Sequence, residues 1–316
     1  MSSPSPGRDA VAPPPASSSL PLADYRRGLA LAATGAVLFS AKAIVAKLMY
    51  RYPVDAVTVL TLRMVFAAPF FAAIAAWQCA KAPSLAWRDR FTVVGLGLVG
   101  YYLSSFLDFL GLQYISAGLE RLILFLTPSF VLLLSTVALK RRIDSRQWLA
   151  MAVAYAGIVL VFAHDLSFAG ERVALGTAFV FGSALSYALY LTGTGELVGR
   201  VGPTRLVAYA MCVSTVACVV QYALLRPWSA LTELAPAVYG LSAINAVFCT
   251  VAPVVLTMWA VARIGAPSAS QAGMIGPVST LLLGAWLLGE PITLWQTAGS
   301  ALVLGGMYLL STKRSS

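Results

Sequence analysis

Leu126-Thr127-Pro128-Ser129-Phe130-Val131-Leu132-Leu133-Leu134 and Ile275-Gly276-Pro277-Val278-Ser279-Thr280-Leu281-Leu282-Leu283 place a proline and a three-leucine run at matching points of two long apolar segments. The offset between them is constant (277 − 128 = 149) and holds without a gap for residues 115 to 157 against 264 to 306. It carries Ile115 onto Ile264, Ala117 onto Ala266, Leu139 onto Leu288, Ile143 onto Ile292, Gln147 onto Gln296 and Gly157 onto Gly306. One hydrophobic unit therefore occurs twice. A proline inside a helix removes a backbone hydrogen bond, and in a bilayer the freed carbonyl must find another partner. Equivalent prolines predict equivalent kinks, with Pro128 and Pro277 as hinges in helices that cross near the membrane midplane.

Hydrophobic residues make up 59% of the chain and charged residues 11%, and the mean hydropathy is +0.82. That composition lies outside the soluble globular range and predicts an all-α integral membrane fold. Apolar stretches of about twenty residues recur, each enough to cross a ~30 Å hydrocarbon core. About ten are expected, near 27–49, 55–77, 91–113, 118–139, 146–163, 173–199, 203–225, 236–261, 267–288 and 293–311. The connections are too short to hold a soluble domain. Residues 1–24 are rich in Ser, Pro and Ala and are expected to be disordered. No apolar h-region precedes the first span, so no cleaved signal peptide is expected. Cys79, Cys212, Cys218 and Cys249 lack CxxC spacing and read as packing residues.

A net charge of +10 invites a nucleic-acid reading, but its distribution follows the positive-inside rule instead. With a cytoplasmic N-terminus, the inner segments hold most of the cations, including Lys140-Arg141-Arg142, while the outer loops hold only Arg51, Arg172 and Arg226. Both termini then face the cytoplasm. The repeats divide at residues 25–165 and 166–316, and five spans in each force the second to enter from the opposite side. The aligned loops agree: Lys140-Arg141-Arg142 is basic where Gly289-Glu290-Pro291 is acidic. Two inverted five-helix repeats around a pseudo-twofold axis can open alternately to either face, which points to transport.

The chain resembles the drug/metabolite transporter superfamily, of the ten-helix EamA type. The resemblance rests on Tyr114-Ile115-Ser116-Ala117 leading into Leu122-Ile123-Leu124-Phe125-Leu126-Thr127-Pro128, and on Gly289-Glu290 before a Gly-rich last span. It implies a small-molecule transporter of the bacterial inner membrane, often an exporter of amino acids or other metabolites. The Glu of the family's loop motif is Glu290 in the second half but Arg141 in the first, so any role of that Glu carries over to Glu290 alone.

Ionisable groups in a bilayer are costly and are the first candidates for function. Lys42, Arg63, Asp108, Glu120 and Arg121 all fall in the outer half of the first repeat. Tyr101, Ser105 and Asp108 share a helical face by i, i+4, i+7 spacing, and Glu120 and Thr127 share another. An outward-facing polar cavity is expected here, in which Asp108 and Glu120 balance some of Lys42, Arg63 and Arg121. Arg63 lies roughly 12 Å into its span at helical rise, too deep for simple snorkelling, whereas Lys47 is expected to snorkel. In the second half Tyr187, Tyr190, Asn245, Trp259 and Gln271 supply the polarity, mostly as packing groups, with Ser268 and Gln271 forming a local capping box. Glu196 is expected at a solvated helix end.

Other chemistries find no support. Gly95-Leu96-Gly97-Leu98-Val99-Gly100 matches GxGxxG but sits inside a span, where small residues serve helix packing. No lysine follows a glycine, which excludes a Walker A loop and predicts a secondary carrier. His164, the one histidine, is expected in an outer loop with no second metal ligand. No cofactor, metal, nucleic-acid partner or enzymatic activity is expected; the partners are the bilayer and a small solute, with proton coupling through Asp108 or Glu120 as a hypothesis. Alternatives are a lipid or lipid-linked flippase and, behind it, an intramembrane enzyme. The excess of cations hints at a carboxylate or other anion as substrate.

Overall fold

The computed structural model describes residues 22–81, 85–139, 143–169 and 172–311, and all regular structure among them is helical. Most of the Ser/Pro-rich tail, Lys140-Arg141-Arg142, Lys313 and Arg314 lie outside these residues. Among the described residues nine helices are long and apolar enough to cross a membrane: α1 (Ala23–Met49), α2 (Ala56–Lys81), α3 (Trp87–Gly111), α4 (Ala117–Val137), α5 (Ser145–Ser167), α6 (Arg172–Gly193), α7 (Pro203–Leu225), α8 (Pro236–Gly265) and α9 (Ser268–Leu288). With the 18-residue α10 (Leu294–Ser311), they make the ten expected. Two details differ. Helix begins at Leu22, inside the stretch expected to be disordered, with Asp24 in its first turn where the helix dipole favours an acid. His164 lies on a helix that continues to Ala169 rather than in a loop.

The packing carries the pseudo-twofold. Exchanging each helix with the one five places on maps the α3–α6 contact onto α8–α1 and the α4–α6 contact onto α9–α1. Helices α2 and α7 pack on each other, as do α5 and α10, so each of these pairs lies across the axis. The α5–α10 seam is close because Gly157 and Gly299 face one another; a Cβ on either would lie 2.6 Å from the other's carbonyl oxygen. Apolar side chains of α1, α2, α3, α7 and α8 form one core, and those of α4, α5, α6 and α10 a second.

The paired prolines sit beside matching interruptions of the helical hydrogen bonding. Helical structure in α4 stops at Leu124 and resumes at Thr127; in α9 it stops at Ala272 and resumes at Ile275. Pro128 and Pro277 thus fall in a first turn, where the missing N–H has no intrahelical partner to lose. Thr127 Oγ1 donates at 2.7 Å to Leu124, the carbonyl that Pro128 leaves free, while Ser129 Oγ donates to Leu126 at 2.8 Å and Ser40 Oγ of α1 to Gly276 at 3.0 Å. Two further irregularities obey the repeat: π-helical turns at Leu98–Leu103 in α3 and Val247–Val251 in α8 begin at equivalent positions (247 − 98 = 149). Each widened turn changes the register of the helix that follows. The carbonyl of Val99 accepts from Ser186 Oγ at 2.7 Å. Two of the three GxGxxG glycines serve close packing, Gly97 against the Ala210 backbone and Gly100 against the Tyr190 ring, whereas Gly95 meets open space.

Candidate functional site

The first turn of α4 fixes the site. Ser116 caps it, its hydroxyl accepting from the Leu119 N–H at 3.2 Å, so Glu120 and Arg121 enter the protein as adjacent residues that point apart. Glu120 turns toward α1 and α3. Lys42 of α1 is ion-paired with Asp108 of α3, and its Nζ lies 3.5 Å from Glu120 Oε1. All three side chains are buried, where an unpaired charge would cost several kcal/mol.

Arg63 of α2 takes another partner. Its Nε donates to Thr250 Oγ1 at 2.8 Å, and its guanidinium lies 5.2 Å from the Phe109 ring centre. Thr250 sits on the π turn of α8 and donates in turn to the Asn245 carbonyl at 2.9 Å, while Asn245 Nδ2 donates to the Lys42 carbonyl at 3.4 Å. Among the described residues Lys42 alone of the three candidate cations forms an ion pair with the two carboxylates. Arg121 turns the other way, 5.0 Å over the Phe39 ring.

Lys47 pairs with Glu290 at 3.3 Å and donates to the Ile115 carbonyl at 2.7 Å, because that carboxylate and carbonyl lie within its reach at the helix end. Glu290 Oε1 also accepts from the Ala117 N–H at 3.2 Å, so the second repeat helps cap α4 in the first.

A cavity of about 930 Å³ lies on the other side of Arg121. It extends from Arg121, Tyr101 and Tyr187 between α1, α4, α8 and α9 to Gln147, Leu310 and Ser311, at the helix ends beside the chain termini. This cavity does not lie around the Lys42 charge cluster, where a polar one was expected. The charges close on one another and draw their helices together, and the open volume lies toward the termini with walls that are mainly apolar. Arg121 is the charged residue among those lining it.

The structure divides the candidates accordingly. Tyr101, Arg121, Pro128, Tyr187 and Gln271 line the cavity; Lys42, Arg63, Asp108 and Glu120 lie behind it, and Pro277 is buried beside Gly276. The Tyr101 ring meets Tyr187 and Tyr190 at 6.3 and 5.0 Å. Ser105 is half-buried and joins neither group, since the π turn alters the register that was to align it with Tyr101. Trp259 faces outward, 53% exposed. The Glu196 side chain lies outside the described residues. Phe39, Thr250 and Gly276 were not singled out from the sequence. Thr250 had a readable signal, being the repeat equivalent of Tyr101 (250 − 101 = 149).

Residues 26–163 and 174–312 match one family, described as EamA-like transporter. The chain belongs to the EamA-like transporter family. This transporter is 32% identical over 288 residues to the uncharacterized transporter YcbK of Bacillus subtilis, covering 88% of this chain and 89% of the relative. An uncharacterized transporter of Archaeoglobus fulgidus is 29% identical over 262 residues, covering 82% and 89%. A solved crystal structure superposes with a TM-score of 0.63 at 16% identity, over 89% of this chain and 95% of the other, a likeness of fold. The protein is a multi-pass membrane transporter that acts on a small molecule.

Proposed function

We propose that the protein is a secondary active transporter that exports a small, amino-acid-like metabolite across the bacterial inner membrane by alternating access. The cavity carries this reading: about 930 Å³ reaches the helix ends beside the termini, while its far end is closed by the buried Lys42 cluster and by Lys47–Glu290. With the termini cytoplasmic, as the loop charges favour, the cavity faces inward. Exchange of the α3–α6 and α8–α1 contacts across the pseudo-twofold would close it and open the other face. Asp108 and Glu120, which share Lys42, are the candidates for proton coupling; transport in liposomes indifferent to a pH gradient would exclude them. The function is tested by untargeted metabolite profiling of cells with and without the protein, followed by counterflow of the best hits in proteoliposomes. Absence of any carrier-dependent flux sinks the proposal.

The apolar walls favour one second reading, a flippase for a lipid-linked substrate. Scrambling of a labelled lipid by the same proteoliposomes, without metabolite counterflow, would select it.

A further inference from the structure

We propose that the cavity binds an organic anion with an apolar body, and that Arg121 is the group that holds the anionic end. The inference rests on the transporter reading above and names the substrate class of the same cavity.

Charge balance supplies the first observation. Lys42, Arg63 and Arg121 are buried beside two carboxylates, Asp108 and Glu120. Both carboxylates are engaged by Lys42, and among the described residues neither guanidinium forms an ion pair: Arg63 is held by the neutral Thr250 hydroxyl and its buried Nη1 has no partner. One positive charge is left over, and of the two guanidinium groups Arg121 is the one that lines the cavity. This residue is only 9% exposed, forms no ion pair among the described residues, and its Nε has no hydrogen-bond partner. A buried guanidinium without a counter-ion is costly, and its planar fork of N–H donors matches a carboxylate.

The second observation is the space built for that group. Arg121 lies against Gly276, where a Cβ would come within 3.1 Å of Nε and closer still to the guanidinium end. The Gly276 carbonyl is itself fixed by Ser40 Oγ, so the backbone at the α9 break forms a rigid backing. The guanidinium thus occupies the volume of an absent side chain at the closed end of the cavity.

The third is the remainder of the lining. Beyond Arg121 the walls are formed mainly by groups such as Leu124, Phe125, Val254 and Met274, with uncharged polar side chains, Thr257 and Gln271 among them, between these. The volume suits a ligand of drug-like size. An amphipathic acid would set its charge on Arg121 and lay its apolar body along these walls.

The test titrates the detergent-solubilised full chain with 3-phenylpropanoate, 3-phenylpropanamide and 3-phenylpropylamine, and with indole-3-acetate and its amide, reading the melting temperature. The acids should stabilise the protein and their amides and the amine should not. In Arg121→Gln the apparent affinity for the acids should fall about 10- to 100-fold, the loss expected for a charged hydrogen-bond donor. Arg121→Lys should retain part of the affinity. Gly276→Ala, which keeps every charge but displaces the guanidinium, should weaken acid binding as well. The wild-type comparison of acid with amide stands even if a variant does not fold. Equal responses to acid and amide, no response to any acid, or an unchanged acid response in folded Arg121→Gln would each overturn the proposal. If the acids fail while counterflow finds a neutral or cationic metabolite moving, the anion site falls and the transporter reading stands. If the acids bind through Arg121 and nothing is carried in liposomes, the transporter reading falls instead.

Discussion

Glu290 accepts a hydrogen bond from the Ala117 backbone N–H at 3.2 Å, so the loop that follows α9 in one repeat caps the first turn of α4 in the other. The same carboxylate pairs with Lys47 of α1 at 3.3 Å, which ties three segments together at the end of the molecule opposite the cavity. Glu290→Gln keeps an acceptor for Ala117 but loses the ion pair, and should lower stability by about 0.5–1 kcal/mol. Glu290→Ala loses both and should cost about 1–2 kcal/mol. Thermal unfolding in detergent orders the two variants; equal losses would show that the cap contributes nothing.

Lys42 is the cation shared by Asp108 and Glu120. Lys42→Met leaves two buried carboxylates without it, a change expected to cost about 3–5 kcal/mol, whereas the triple variant Lys42→Met, Asp108→Asn, Glu120→Gln should recover much of that loss. Melting temperatures of the two proteins measure the recovery. A triple variant no more stable than the single one contradicts the pairing.

Arg63 reaches Thr250 on the π turn of α8 and does not line the cavity. Arg63→Leu should abolish transport while the protein still inserts, because the tie between α2 and the π turn is lost. Flux in proteoliposomes, normalised to inserted protein, checks this, and wild-type flux would remove Arg63 from the mechanism.

Asp55, in the loop before α2, is partly buried, which by itself would raise its pKa. Hydrogen bonds from Thr58 and from Arg226, whose Nε lies 2.6 Å away, outweigh burial and hold the carboxyl below its usual range. A depressed carboxyl contributes stability above its unfolded pKa and loses it as pH falls through the folded value. Melting temperature should therefore fall more steeply below about pH 4 in the wild type than in Asp55→Asn. The pair is partly exposed, so solvent screening limits the difference to less than about 1 kcal/mol.

Gly157 and Gly299 leave no room for a methyl group between α5 and α10. Gly299→Ala should destabilise by about 1–3 kcal/mol through overpacking, and Gly305→Ala, which meets open space, should not. Paired unfolding curves decide, and equal stability of the two variants would contradict the close seam.

The sequence carries the fold most plainly where a single helix or the repeat supplies the signal. The spans were legible from apolar length, and the duplication from the constant spacing of Pro128 and Pro277. Asp108 and Glu120 could be named as partners for cations because buried charges need them, but nothing local selected Lys42 over Arg63 or Arg121. The π turns were invisible in composition, so the face shared by Tyr101, Ser105 and Asp108 was drawn on an ideal helix that the chain does not keep. Gly276 carried no mark of its own; its meaning is the guanidinium lying against it.

By itself, then, the sequence determined a membrane-embedded, twice-repeated helical chain and the cations and carboxylates buried in its first half. Hydropathy, periodicity and net charge are sums along the chain, and they survive without knowledge of contacts. The tertiary structure decided that Lys42 gathers both carboxylates, that Arg121 is left facing the cavity, and that this cavity reaches the end that bears the termini. Those outcomes depend on which side chains meet across helices: Lys42 and Asp108 are 66 residues apart, and their pairing is fixed only when α1, α3 and α4 pack.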